Sequence, residues 1–214
     1  SIAFLPDGRL LVTERPGRLR VFASGRLEPR PLAGVPAVVA SGQGGLLDVC
    51  LHPDFARNRL LYLSYAGDGS GGAATMVARA ELADGGLAWT TPIFTALPRA
   101  GGGLHFGSRL AFDRAGLLYV TTGERYQRER AQDLRDLGGK VVRLRDDGSV
   151  PPDNPFVGRP DTPPEIFTFG HRNPQGLAMH PVTGRMWEAE HGPRGGDELN
   201  LLVAGANYGW PRAT

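Results

Sequence analysis

Short apolar stretches alternate with turns along the whole chain, and no stretch shows the period of a long amphipathic helix. One strand–turn–strand phrase occurs four times. Its matching apolar positions are Phe4, Leu51, Phe112 and Met179, which lie 47, 61 and 67 residues apart. Because a β-propeller blade takes roughly 40–50 residues plus loops, the repeat predicts about four blades in a single partial propeller domain over residues 1–214. We expect these four side chains to be buried at equivalent strand positions.

The stretch 169–200 contains one of these hairpins, with a polar, glycine-rich cluster on either side. The first cluster includes Arg172, Asn173 and Gln175, whose planar groups suit carboxylate and carbonyl oxygens. The second includes Glu198 among glycines, and carboxylates beside free backbone carbonyls suit a hard cation such as calcium. A pair of polar loops without such a role is the alternative, and composition alone leaves both interpretations open.

Two further polar side chains stand among glycines just before a repeat strand. Gln43 alone is typical of a solvent-facing glycine turn, but His105 holds the same place before the next repeat strand. A lone histidine is more often structural, but histidine is the usual general base at neutral pH, and the position shared with Gln43 favours a functional place for His105. The charged run 123–137 is instead typical of a solvated loop or a short helical turn.

Composition narrows the class of protein. The 31 glycines and 18 prolines among 214 residues predict a turn-rich all-β domain. The net charge is only +2 with both signs interspersed, so the sequence lacks the basic tract of a nucleic-acid-binding arm. No apolar run has the length of a transmembrane helix.

The single cysteine, Cys50, excludes an intrachain disulfide, and its apolar neighbours predict a core position. The chain begins mid-strand without a methionine, so we expect a segment of a longer protein.

Several motifs in one order resemble the soluble pyrroloquinoline quinone (PQQ)-dependent sugar dehydrogenases, in particular the bacterial aldose sugar dehydrogenase branch. The motifs are GQGGLLDVCLHPDF, HFGSRL, LGGKVVRLRDDGSVPPDNPF, GHRNPQGLA, EHGPRGGDELN and NYGWP. The resemblance covers nearly the whole chain. It implies a six-bladed β-propeller with PQQ above the central channel, of which this chain supplies about four blades.

The resemblance also implies a role for individual residues. His105 matches the base that takes the proton of the sugar's anomeric hydroxyl while hydride passes to the quinone. The implied cofactor contacts are Gln43, Arg172, Asn173 and Gln175. The implied calcium ligands are the backbone carbonyls of Gly192 and Pro193 for an ion on PQQ, and Glu198 with the carbonyl of Tyr208 for a separate structural ion. We expect Gln43, His105, Arg172 and Asn173 to face one cavity at the channel mouth.

The activity that the resemblance implies is oxidation of aldose sugars to lactones, with an external electron acceptor. A periplasmic or secreted location and a homodimer are further expectations, without nucleic acid or a membrane span. The glucose dehydrogenase branch has a glutamine in place of His191 and an acidic residue in place of Leu104, which leaves the sugar preference open. Two alternatives remain. One is a calcium-dependent propeller lactonase, which would need a carboxylate cage at the channel, and the other is a non-catalytic binding propeller.

Overall fold

The computed structural model describes residues 1–213, which form four antiparallel sheets with two short helical segments. The first sheet contains β1 (Ile2–Phe4), β2 (Leu10–Glu14), β3 (Arg18–Ala23) and β4 (Arg26–Leu27). The second contains β5 (Leu46–Leu51), β6 (Leu60–Gly67), β7 (Ala74–Ala83) and β8 (Gly86–Thr95). The third contains β9 (Gly107–Phe112), β10 (Leu118–Thr122), β11 (Lys140–Leu144) and β12 (Ile166–Phe169). The fourth contains β13 (Pro174–Met179), β14 (Met186–Glu190) and β15 (Glu198–Leu201). The helical segments are α1 (Phe55–Asn58) and a 3₁₀ turn (Arg128–Gln132). No helix in residues 1–213 has the length and apolar character needed to cross a membrane.

Each sheet is a meander in which every strand is hydrogen-bonded to the next strand in the sequence. The first strands of neighbouring sheets lie side by side, with β1 against β5, β5 against β9 and β9 against β13. Four meanders whose first strands surround one axis are consecutive blades of a β-propeller. The prediction of an all-β chain with about four blades is therefore confirmed.

The four repeat positions are equivalent, but the prediction that they are buried is wrong. Each ends the first strand of its blade, and the register pairs it with the start of the second strand as Phe4 with Leu10, Leu51 with Leu61, Phe112 with Leu118, and Met179 with Met186. Phe4 is 70% exposed and the other three are half-buried. The first strand of each blade is hydrogen-bonded to a neighbour on one side only, so the side chain at its end is incompletely covered. The second strands carry the core instead, and Leu11, Leu61 and Leu118 are fully buried.

Side chains of the second strands point alternately toward the two neighbouring blades, as the two-residue period of a strand requires. In β6, Leu61 packs in the layer shared with the first blade and Tyr62 in the layer shared with the third. In β10, Leu118 faces the second blade and Tyr119 the fourth. Three apolar layers thus join the four blades. Cys50 lies half-buried against the middle layer, and burial raises the pKa of its thiol to about 12.

The loop before each first strand meets the loop after each second strand at one end of the channel. Antiparallel pairing brings the start of one strand beside the end of the other. Thr122 at the end of β10 pairs with Gly107 at the start of β9, and Glu190 at the end of β14 pairs with Pro174 at the start of β13. Polar side chains from several blades therefore lie near one another at this end.

Candidate functional site

His105 lies buried in the loop before β9, with a left-handed backbone φ of +51°. Its backbone N–H donates to Gln43 Oε1 at 2.8 Å, and its ring Nδ1 lies 2.9 Å from Glu124 Oε1. Since a carboxylate oxygen accepts, the proton of a neutral ring lies on Nδ1, which leaves the lone pair on Nε2. That tautomer is the one that a general base needs.

Glu124 is a buried partner of the candidate base that the sequence analysis missed. It is only 1% exposed, and it belongs to the run 123–137 that was predicted to be a solvated loop. That prediction is wrong for four of its charged members, because Glu124, Arg125, Arg130 and Asp136 are all buried. Each has a partner, as a buried charge requires, and Arg130 Nε donates to Asp136 at 2.8 Å.

A sequence signal for this pair does exist. Glu124 follows His105 by 19 residues, and the same separation joins His171 to Glu190 in the next blade. The ring Nδ1 lies 2.9 Å from the carboxylate oxygen in the first pair and 3.0 Å in the second. A histidine before the first strand and an acid at or just after the end of the second strand come together because those strands are antiparallel neighbours. Comparison of the repeats for polar as well as apolar positions identifies both pairs.

A cavity of about 680 Å³ opens at this end of the channel. Its walls are formed by Glu124, Tyr126, Arg128, Arg172, Pro193, Arg194, Trp210 and Pro211. Arg172 donates through Nη1 to the carbonyl of His191 at 2.9 Å, and its guanidinium lies 5.4 Å from the centre of the Trp210 ring. The buried Nε–H of Arg172 has no hydrogen-bond partner within residues 1–213. The walls of the cavity therefore carry arginines on one part and, on another, the Glu124 carboxylate that contacts His105.

The structure does not place the four expected residues on one cavity. Of the four, Arg172 lines the larger cavity, Gln43 lines a narrower one of about 300 Å³ between the first strands, and His105 lines neither. Gln175 also lines the narrower cavity. Asn173 is buried and accepts the N–H of Gly107 on its Oδ1 at 3.1 Å. The side-chain oxygens of Gln43 and Asn173 are engaged by backbone amides of the third blade. These two side chains therefore position the region around His105.

Gly192 and Pro193, the predicted carbonyl ligands of calcium, lie in the loop after β14, and Pro193 lines the larger cavity. The N–H of Gly192 donates to Asp197 Oδ1 at 2.9 Å, and the Pro193 carbonyl accepts the N–H of Gly196 at 3.0 Å. These bonds fold the loop back on itself. A carbonyl oxygen has two lone pairs, so the Pro193 oxygen retains one for a hard cation.

Glu198 and Tyr208, the other predicted calcium ligands, lie beside a buried cluster of His171, Glu188 and Glu190. Glu198 is the cross-strand partner of Glu190 between β15 and β14. The Tyr208 ring stacks on the His171 ring with centroids 4.6 Å apart. Both residues therefore contact the same region of the fourth blade, and calcium ligation by them stays a prediction.

The buried cluster also holds Arg172 in place. His171 Nδ1 lies 3.0 Å from Glu190 Oε1 and 3.4 Å from Glu188 Oε1, while its Nε2 lies 2.8 Å from the Thr168 hydroxyl. Burial alone would lower the pKa of His171, but the hydrogen bonds and charges of Glu188 and Glu190 outweigh it and raise the pKa to about 9. His171, Glu188 and Glu190 have the spacing of metal ligands, but a protonated His171 ring has no lone pair with which to bind a metal ion. Glu190 also accepts the backbone N–H of Arg172, which fixes the start of β13.

The fold and the site define a β-propeller with an acid-oriented histidine and a cationic cavity at the mouth of its channel. The family model described as Glucose / Sorbosone dehydrogenase matches residues 1–214, and the chain belongs to this family. The resemblance to sugar dehydrogenases found in the sequence is thereby confirmed.

Relatives of known name support this assignment. The chain is 49% identical to Aldose sugar dehydrogenase YliI of Escherichia coli (strain K12) over 219 residues, which cover 100% of this chain and 59% of that protein. It is 33% identical to Quinoprotein glucose dehydrogenase B of Acinetobacter calcoaceticus, covering 96% of this chain and 48% of that protein. The PQQ-bound structure of aldose sugar dehydrogenase from Streptomyces coelicolor matches with a TM-score of 0.87 at 35% identity, over 100% of this chain and 62% of that one. The chain thus spans less than two thirds of the length of these relatives.

Proposed function

We propose that the complete protein is a PQQ-dependent aldose sugar dehydrogenase that oxidises the anomeric hydroxyl of a sugar to a lactone. The observation that carries this proposal is the His105–Glu124 pair beside the arginine-lined cavity. The names of the relatives in Escherichia coli and Acinetobacter calcoaceticus support the same class of reaction.

The residues of the larger cavity fit PQQ, a flat quinone that carries three carboxylates. The volume of about 680 Å³ lies within the usual range of cofactor sites. Arg128, Arg172 and Arg194 give the walls the positive charge that carboxylates need. Tyr126 and Trp210 supply aromatic surface. When bound, the quinone supplies the hydride acceptor that protein side chains lack.

Within this proposal His105 moves the proton. Its Nε2 lone pair accepts the proton of the anomeric hydroxyl as that oxygen becomes the lactone carbonyl. The resulting imidazolium is stabilised by the Glu124 carboxylate on Nδ1, which also prevents the ring from turning. The backbone bond from His105 to Gln43 holds the loop that carries the base.

Calcium is part of the proposal in two places. The backbone carbonyls of Gly192 and Pro193 would hold one ion at the larger cavity, and Glu198 with the Tyr208 carbonyl would hold another in the fourth blade. Carboxylate and carbonyl oxygens are the ligands that calcium prefers. An ion at Pro193 would add positive charge beside Arg172, where an anionic cofactor needs it.

The two alternative functions have weaker support. A propeller lactonase needs a metal caged by carboxylates, but among residues 1–213 that line the larger cavity Glu124 is the one carboxylate, and it is bonded to His105. A non-catalytic binding propeller has no need of an imidazole held in the basic tautomer. An external electron acceptor, a homodimer and a periplasmic or secreted location stay predictions from the family resemblance.

Reconstitution tests the proposal. The full-length protein is loaded with PQQ and calcium and is assayed with a panel of aldoses and an artificial dye acceptor. We expect dye reduction that requires both the aldose and PQQ, with a lactone as product. Hydrolysis of lactones without PQQ would point to the lactonase instead. The absence of both reactions would favour the binding propeller.

A further inference from the structure

Two consecutive residues of the loop after β10 have left-handed backbone angles. Arg125 has a φ of +60° and Tyr126 a φ of +61°. The N–H of Gln127 donates to the carbonyl of Glu124 at 3.1 Å and closes a four-residue turn around them. Positive φ at both central positions is typical of type I′ turns, which favour glycine, asparagine and aspartate. An arginine and a tyrosine there are strained, since the Cβ atom opposes this conformation.

The Arg125 side chain holds the strained turn in place. Its guanidinium donates to the carbonyls of Ala73, Gly102 and Leu104 at 2.5, 2.7 and 2.9 Å. It also lies 3.7 Å from the centre of the Phe106 ring. Burial lowers the pKa of Arg125 to about 10, and three carbonyls compensate the buried charge. This anchor ties the turn to the glycine loop that precedes His105.

The consequence of the turn is the position of the Tyr126 ring. The side chain is 69% exposed although it is large and aromatic. Its ring lies 5.3 Å from the His105 ring in an edge-to-face arrangement of 71°. It lines the larger cavity together with Arg172 and Trp210. A strained backbone that displays an aromatic ring beside the base indicates a role in binding, since strain of this kind collects at functional sites.

We propose that Tyr126 is a specificity-determining residue whose ring stacks on the apolar C–H face of the aldose ring. This inference rests on the proposed function and deepens it. One face of a pyranose presents C–H groups, and a flat aromatic ring is the apolar surface that complements it. A sugar ring held on Tyr126 lies next to His105, which brings its anomeric hydroxyl to the base.

The test compares Tyr126→Asn and Tyr126→Phe in the full-length enzyme loaded with PQQ and calcium. Asparagine tolerates a left-handed φ, so Tyr126→Asn should keep or raise the melting temperature. Loss of the stacking surface should raise KM for the aldose roughly three- to tenfold. The turnover number kcat should stay within about twofold, because a contact made equally before and during the reaction affects binding alone. Tyr126→Phe keeps the ring and should leave KM within about twofold.

Ser24→Asn is the matched control. Ser24 also has a left-handed φ, +50°, but it lies in the β3–β4 turn of the first blade and lines neither the larger nor the narrower cavity. The control should change stability alone. The inference is overturned if Tyr126→Asn leaves KM unchanged in an active enzyme. It is also overturned if the variant weakens PQQ binding to the apoprotein while KM for the aldose at saturating PQQ stays the same. A wild type that oxidises no aldose would instead overturn the proposed function.

Discussion

At the scale of single residues, the protein orients one imidazole from two sides. The backbone of His105 is bonded to Gln43 of the second blade, and its ring is bonded to Glu124 of its own blade. The ring is nearly excluded from solvent, so few waters compete for the Nδ1 bond. Each side chain supplies the hydrogen-bond partner that the other needs once both are buried.

The first prediction concerns the base. His105→Ala in the full-length enzyme should lower turnover by roughly 10²–10⁴, the usual size of a general-base contribution. PQQ binding should survive, since Arg172 and the loop of Gly192 remain. Steady-state kinetics and a PQQ titration of the apoprotein measure the two effects separately. Wild-type turnover in the variant would show that another group accepts the proton.

The second prediction concerns the acid behind the base. Glu124→Gln keeps the shape of the side chain but removes the charge that stabilises the imidazolium, so turnover should fall. Because Glu124 acts through His105, the double variant with His105→Ala should be no slower than His105→Ala alone. Turnover measured for all four proteins of this cycle checks the claim. Additive losses would mean that Glu124 contacts the substrate or cofactor independently.

At the scale of elements, the sole lysine of the chain joins a strand to the 3₁₀ turn beside the site. Lys140 begins β11 and is 0% exposed. Its Nζ donates to the carbonyls of Arg130, Ala131 and Gly138 at 2.8, 3.3 and 2.7 Å. Two of these carbonyls belong to the turn, so the ammonium closes its C-terminal end. Burial is the main cause that lowers the pKa of Lys140 to about 7.

This lowered pKa predicts how stability depends on pH. Between pH about 7 and the ordinary lysine value of 10.5, the unfolded chain binds a proton at Lys140 that the folded chain has released. The free energy of unfolding contributed by this group should therefore rise with pH across that window. Below this pH window Lys140 is protonated in both the folded and the unfolded chain, and the free-energy cost of burying its charge is fully present. Lys140→Met should abolish this part of the pH dependence.

Because the chain has one lysine, a ¹⁵N-lysine NMR titration follows a single side-chain resonance. Denaturant unfolding of wild type and Lys140→Met at several pH values gives the corresponding free energies. A measured pKa near the ordinary lysine value would show that the three carbonyls hold the charge more strongly than burial opposes it. Lys140→Met should also lower stability by about 1–3 kcal/mol at neutral pH, since buried carbonyls lose a donor.

At the scale of the whole molecule, the apolar repeat was sufficient to predict the blades. Phe4, Leu51, Phe112 and Met179 mark the same strand end in each blade because strand order follows the sequence in a meander. Their burial could not be predicted in the same way, since it depends on which strand has neighbours on both sides. The hydrogen-bond partner of a loop side chain cannot be predicted from the repeat either. Gln43, for example, accepts a hydrogen bond from a residue 62 positions away.

In the charged run 123–137 the burial of polar residues was equally hard to predict from the sequence. Residues 123–137 have the composition of a solvated loop, and the tertiary structure supplies the distant partners of the buried Glu124 and Arg125. Arg130 instead pairs with Asp136 within the run. Charge content therefore predicts exposure only where no partner from another element is near. The motifs shared with sugar dehydrogenases singled out His105, but its partner Glu124 lies in a segment that those motifs do not cover.

The last prediction concerns a structural calcium ion in the fourth blade. Glu198 accepts the side-chain N–H of Asn200 at 3.0 Å, and Asn200 also donates to the buried Glu188 at 2.8 Å. Three acids, Glu188, Glu190 and Glu198, thus lie close together beside the His171 ring, and burial raises the pKa of Glu188. A divalent cation held by Glu198 and the Tyr208 carbonyl would offset the remaining negative charge. It would also hold the chain after β15 against the fourth blade.

Chelation should therefore lower the melting temperature of the full-length protein by roughly 5–10 °C, as expected for loss of a ligand bound at about 100 times its dissociation constant. Glu198→Gln should melt at the lower temperature with or without chelator, because it removes the charged ligand. Asp84→Asn, at the exposed tip of the β7–β8 hairpin, is the control for loss of one carboxylate and should keep the full response to chelator. Equal melting of wild type with and without chelator would mean that the imidazolium of His171 alone balances the acids, and that Glu198 serves the strand pairing of β15.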